Sequence, residues 1–245
     1  MRRILLFKNG HTHPDVKRDV GSYHRWFTRI LGDRAELVVH YGMEQPRPSA
    51  AGFDALILTG SPASLVEPEP WMDEACAFVR DCADAGMPVL GVCFGHQMIG
   101  RAWGGSVRKN PNGWEAGTYE VHLTDEGRRD PLFAGLGPTL HANQSHRDEV
   151  ATLGPGVRHL AGSALTAHQA IAVSAHVRGV QFHPEMDGVV IRRLIEHRRL
   201  ILADDAHRNG RGHVAHPEAL LARASDTPDA ERVVRNFFDH FVCRA

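Results

Sequence analysis

The sequence predicts an α/β protein built on an open, mainly parallel sheet with helices on both faces. Short apolar runs alternate with stretches of helical periodicity through the N-terminal part of the chain. Glycines stand at the ends of those helical stretches, where a left-handed backbone closes a helix. Hydrophobic residues make up 42% and charged residues 23%, enough apolar material for a sizeable core without the bias of a disordered or membrane chain. Strand–helix alternation requires right-handed crossovers, which lay successive strands parallel.

Each element follows in order. "RILLF" (3–7), "ELVVH" (36–40), "DALILTG" (54–60) and "MPVLGV" (87–92) read as buried strands. Between them, "DVKRDVGSYHRWFTRILG" (15–32) and "EPWMDEACAFVRDCADAG" (69–86) carry apolar residues at helical spacing and end on Gly32 and Gly86. Ligands in such sheets gather beyond the carboxyl ends of the strands, so "TGSPAS" (59–64) and "CFGHQ" (93–97) belong to one rim. From about 105 to 182 the pattern changes to strands joined by turns, which adds antiparallel strands. Helical periodicity returns in "DGVVIRRLIEHRRLILADD" (187–205), "PEALLARA" (217–224) and "PDAERVVRNFFDHFV" (228–242), a helical C-terminal tail. The polar "AHRNGRGHVAHP" (206–217) reads as an exposed loop. The expected organisation is a main domain over 1–190 and a helical extension over 191–245 packed on it.

Charge excludes several function classes. The 28 basic and 29 acidic side chains nearly cancel, leaving a formal charge of -1, so no global field attracts nucleic acid or an anionic membrane. "EGRRD" (126–130) and "EHRRL" (196–200) read as solvated faces. Cysteines 76, 82, 93 and 243 lack the paired spacing of zinc ribbons or disulfide frameworks, and "MRRILLFKNG" is too short in its apolar part for a signal peptide. A reducing cytoplasm is the expected location. "HTHP" (11–14) has no third donor beside it and reads as surface or pocket-rim histidines; no metal and no cofactor is expected.

The chemistry centres on "GVCFG" (91–95). It has the form of a nucleophile elbow with cysteine at the apex, where Gly91 and Gly95 relieve crowding in a sharp strand-to-helix turn. Cys93 would then project above the rim at the start of a helix, whose free N–H groups favour a thiolate. Far downstream, "GVQFHPE" (179–185) offers a base and an orienting carboxylate. Pro184 holds His183 extended, and side chains two apart in an extended segment share a side, so Glu185 can orient the imidazole. A second "HPE" at 216–218 precedes a helical run and reads as a helix start. "LTGSPAS" (58–64) is a strand followed by a small-residue turn. Its Ser61 N–H, with that of Phe94, would make an oxyanion hole.

Elbow, His-Pro-Glu and oxyanion turn, together with "NQSHRDEV" (143–150), resemble the class I, triad-type glutamine amidotransferases, whose sheet is flavodoxin-like. The resemblance covers residues 3 to about 190 and is similar to the GMP-synthetase type and to free-standing γ-glutamyl peptidases. It implies that Cys93 attacks the γ-carboxamide, that His183 carries the proton and that Glu185 orients it. It further implies that Gly60, Gln97 and the Ser145, His146, Arg147, Asp148 segment meet the glutamyl part of a small γ-glutamyl substrate. Two departures stand out. Ser61 occupies the place of a second glycine, and Arg147 that of the glycine usual in Ser-His-Gly-Asp, where a long cation could bind a carboxylate or narrow the pocket. The stretch after Glu185 is too short for an ATP-pyrophosphatase domain, and no phosphate loop occurs, so any ammonia-consuming step is expected on a separate synthetase subunit.

Two other classes compete. A catalytically idle amidotransferase-like binding module would keep the fold without needing a complete triad. An elbow-cysteine protein of redox or aldehyde chemistry would not use a distant "FHPE" strand end.

Overall fold

A computed structural model describes residues 1–210 and 215–243. The strands run β1 (Arg2–Lys8), β2 (Ala35–Tyr41), β3 (Ala55–Leu58), β4 (Val89–Val92), β5 (Ser106–Lys109) and β6 (Glu115–Leu123). They continue as β7 (Thr139–His146), β8 (Asp148–Thr152), β9 (Arg158–Gly162), β10 (Ala170–Ala172) and β11 (Val177–Val180). The helices are α1 (Pro14–Val20), α2 (Tyr23–Leu31), α3 (Pro70–Asp84), α4 (Phe94–Ala102) and α5 (Asp125–Arg129). Beyond the last strand come α6 (Gly188–His197), α7 (Arg199–Arg208), α8 (Pro217–Arg223) and α9 (Pro228–Phe237).

One nine-stranded sheet has the order β2-β1-β3-β4-β11-β10-β9-β6-β7. The first five strands pair in parallel and the remaining four extend the sheet antiparallel. A separate ribbon pairs β5 with β8. Side chains alternate across the strands with period two. Ile4, Leu6, Ile57 and Val92 pack on one face with Phe27 of α2, Leu194 of α6 and Phe237 of α9. Leu5, Phe7, Leu56 and Val89 pack on the other with Phe78 of α3 and Met98 of α4. Both faces of an α/β sheet are thus covered, as the apolar runs require.

The structure differs from the sequence reading at several places in the fold. The helical stretch 15–32 is two helices, because Gly21 takes φ 84° and Ser22 is extended. The stretch 187–205 is also two, broken at Arg198, which leaves the helical region at φ -97°, ψ 12°. The polar segment after 205 is not loop from its start: α7 continues to Arg208 and Ala206 is buried, while residues 211–214 of that segment lie outside the described residues. In "EGRRD", Asp130 is buried and pairs with Arg178 at 2.9 Å, so only its neighbours form a solvated face. The second "HPE" does open a helix, with Pro217 at the first position of α8.

Candidate active site

Cys93 sits between β4 and α4 with φ 53° and ψ -103°, the one positive φ outside glycine among the described residues. Such a backbone is strained for an L-residue and persists only where its surroundings hold it. Its N–H donates to the Val180 carbonyl at 2.8 Å, and its own carbonyl accepts from the Gln97 N–H at 3.0 Å. The turn is too tight for side chains beside it. A Cβ on Gly91 would stand 2.4 Å from the Gly95 carbonyl oxygen, and one on Gly95 would stand 2.6 Å from the Leu58 carbonyl oxygen. The sulfur-bearing residue is itself only 5% exposed, yet it lines two cavities.

His183 lies just past the end of β11, where its N–H donates to the Asn143 carbonyl at 2.8 Å. Its Nδ1 is 2.8 Å from Oε1 of the fully buried Glu185, which leaves Nε2 as the ring nitrogen available to the thiol. Burial alone would push this imidazole down, but the Glu185 carboxylate and the charge on Cys93 outweigh it and raise its pKa to about 10. Gly60 closes the third side. A Cβ there would be 2.9 Å from Cε1 of His183, 3.3 Å from the Tyr23 hydroxyl and 3.6 Å from Cβ of Cys93. Thiol, imidazole and oxyanion turn therefore meet around one point.

Ser61 turns its hydroxyl back toward the backbone, donating to the Asn9 carbonyl at 2.9 Å and accepting from the Ala63 N–H at 3.0 Å. Among the described residues, neither the Ser61 nor the Phe94 N–H is spent on a hydrogen bond. Both residues border the cavity of about 410 Å³ on one side of Cys93, together with Gln97, Ser145, His146, Arg147 and Asp148. Several of these side chains are already engaged. Gln97 Nε2 donates to the Asp148 carbonyl at 2.9 Å and to Gln181 Oε1 at 3.1 Å. The His146 ring points into the fold, with Nδ1 3.0 Å from the Asp148 carbonyl and Nε2 3.0 Å from Glu115 Oε2. Asp148 accepts from the Ser64 hydroxyl. Arg147, expected as a long cation beside the glutamyl site, does border this cavity, where it pairs with Asp205 at 3.3 Å and donates to the Asn110 carbonyl.

The cation the sequence reading missed is Arg198. "EHRRL" is not a uniformly solvated face, because this guanidinium turns inward, donates to the Ser145 hydroxyl and lies 5.1 Å over the Trp114 ring. It borders both cavities and forms no ion pair among the described residues. Burial lowers its pKa, while Tyr23 and Cys93 oppose that shift. A signal was present: Leu194, Arg198 and Leu202 recur at every fourth position, which places the arginine on a buried helical stripe.

The second cavity, of about 380 Å³, opens on the other side of Cys93 over His183, Trp26 and Leu194. His11 and His13 of "HTHP" stand on its rim. The third donor missing from the local sequence arrives from α6: the His13 and His197 rings are 3.9 Å apart, and donor atoms of these two and Asp15 lie within 4.8 Å of one another. All four cysteines are free thiols. No helix among the described residues is long and apolar enough to cross a membrane.

A strained elbow cysteine, a carboxylate-oriented histidine and a glycine-lined turn on this sheet define a class, and the family model of class-I glutamine amidotransferases matches residues 18–196. The chain belongs to the class-I glutamine amidotransferase family. It is 37% identical over 159 residues to a glutamine-hydrolyzing GMP synthase subunit of Saccharolobus solfataricus, covering 64% of this chain and 79% of that one. It is 25% identical over 201 residues to gamma-glutamyl peptidase 4 of Arabidopsis thaliana, covering 80% of each. The solved structure of a glutamine amidotransferase from Methylobacillus flagellatus shares the fold, with a TM-score of 0.76 at 22% identity over 100% of this chain and 94% of that one.

Proposed function

We propose that this protein is a cysteine hydrolase that cleaves a γ-glutamyl amide through a γ-glutamyl thioester. The observation that carries this reading is the meeting of Cys93, His183 and Glu185 at the junction of two cavities. Cys93 Sγ, its proton already held by His183, attacks the γ-carbonyl carbon as the thiolate of a thiolate–imidazolium pair. The developing oxyanion is received by the N–H groups of Ser61 and Phe94. When the tetrahedral intermediate collapses, the C–N bond breaks and His183 gives its proton to the leaving nitrogen. Water, deprotonated by the same imidazole, then adds to the thioester carbonyl; the C–S bond breaks, releasing glutamate and restoring the thiol. Glu185 holds the ring in the required orientation throughout. Arg198 and Asp148 receive the α-carboxylate and α-amino group of the glutamyl part. Redox or aldehyde chemistry finds less support, because a lone elbow thiol would not require the Glu185–His183 pair.

Purified protein incubated with glutamine and with γ-glutamyl dipeptides should release glutamate, and Cys93→Ala should lower the rate by at least about 10³-fold. Folded protein that forms no glutamate from either substrate class would remove this reading. A second reading keeps the same chemistry and delivers the ammonia to a separate synthetase subunit. Its support is the 37% identity to a protein named as a subunit of GMP synthase.

A further inference from the structure

The two cavities beside Cys93 differ in what they contain. The one of about 410 Å³ holds Gln97, Lys109, Arg147 and Asp148, a polar and charged set suited to an amino acid head group. The one of about 380 Å³ holds His183 and an apolar and aromatic wall of Tyr23, Trp26, Met186 and Leu194, with polar and basic groups toward its rim but no carboxylate in its lining. His183 borders only this second cavity, whereas Phe94, a donor of the oxyanion hole, borders only the first. The distinction orients the substrate. The group that protonates the leaving nitrogen must face it, so the leaving amine departs on the His183 side.

Resting on the hydrolase reading above, we infer that the His183-side cavity is a binding subsite for a bulky apolar or aromatic amine, and that the preferred substrate is a γ-glutamyl amide of such an amine. Ammonia needs space for one heavy atom, and this cavity is more than tenfold larger than a water's share of liquid, about 30 Å³. One wall is apolar and densely packed. Trp26 is buried and its Nε1 is fixed to the Val20 carbonyl at 2.8 Å, while Leu194 and Met186 are almost wholly enclosed. The rim carries His11, His13 and His197, and Arg198 stands at the divide. Among the described residues, no aspartate or glutamate lines the cavity itself; the acids at its rim, Asp15 and Glu44, stand behind His13 and His11 and are paired with those rings, so the wall offers a second positive charge on the leaving group only cationic or neutral partners. An amine bearing a carboxylate is accepted there, whereas a diamine is not.

The test compares kcat/KM of the purified full chain for glutamine, γ-glutamyl-phenylalanine and a γ-glutamyl conjugate of 1,4-diaminobutane, reading glutamate release. The phenylalanine conjugate should exceed glutamine by at least about 10-fold, consistent with burying an aromatic side chain, and the diamine conjugate should fall below both. His197→Trp and His13→Trp, which fill the cavity from its rim, should each lower the ratio of γ-glutamyl-phenylalanine to glutamine turnover by at least about 10-fold. Glutamine turnover in the same samples shows that the variants are folded. Glutamine used as well as or better than the phenylalanine conjugate, a preference for the diamine, or a ratio unmoved by both variants would each overturn the subsite while leaving the hydrolase reading intact. Release of no glutamate from any of the three by folded protein would overturn the hydrolase reading and the subsite with it.

Discussion

At the scale of single residues, the site depends on charges held away from water. A histidine in an unfolded chain titrates near 6.5, whereas His183 in the fold keeps its proton to about 10. Its folded pKa is raised, so the stabilisation is fully present below pH 6.5 and is lost as pH climbs through 10. Glu185→Gln should remove much of that effect: its melting temperature should lie below wild type near neutrality, with the gap closing above pH 10. The same change should cost about 10²–10⁴-fold in kcat, since the ring loses its orienting carboxylate. Arg198 and Arg147 separate two kinds of cation. Arg198→Ala should raise KM for γ-glutamyl donors by about 10–100-fold, the worth of a charge-assisted hydrogen bond. Arg147→Ala should change KM less and cost about 0–1 kcal/mol of stability, because its charge is spent on Asp205. Equal KM effects from the two substitutions would contradict this division.

At the scale of elements, the elbow joins strand to helix in one residue, and the glycines around it are spacing devices. Gly95→Ala would drive a methyl into the backbone of β3, where Leu58 cannot yield as a flexible side-chain tip would. We expect a loss of about 1–3 kcal/mol in chemical denaturation and a fall in activity larger than that loss of stability explains, since the displaced helix carries the Phe94 N–H. The break between α6 and α7 serves the site in a similar way. Where the chain leaves helical geometry at Arg198, the guanidinium reaches Ser145 of β7 and the Trp114 ring just before β6, at the antiparallel part of the sheet. The break at Gly21 lets α1 turn toward α6, setting His13 against His197 at the cavity rim.

At the scale of the molecule, α9 closes the core over one face of the sheet. Val233, Val234 and Phe237 join the cluster that contains Ile4 and Val92, so Phe237→Ala should cost about 3–5 kcal/mol in chemical denaturation. A change below about 1 kcal/mol would mean that this helix is an accessory. The parallel strands, the elbow and the spacing of His183 from Glu185 were legible in the residues alone, because they follow from periodicity, glycine sterics and a proline, all of which act within a few positions. Arg198 and the cavity rim were less legible. "EHRRL" has the composition of a solvated surface, and only its register against Leu194 and Leu202 marks one arginine as inward. Arg147 lines the cavity as its neighbours suggested, but that its charge is shared with Asp205, remote in sequence, was not legible. By itself the sequence determined the sheet class and the positions of the elbow and of the His-Pro-Glu strand end, since these are set by local backbone preference. Only the tertiary structure decided which charges remain unpaired, and that His183 faces one cavity while Gln97, Arg147 and Asp148 face the other. Those outcomes depend on partners brought together across the chain; a local pattern can mark a side chain as inward, as at Arg198, but not what it meets there.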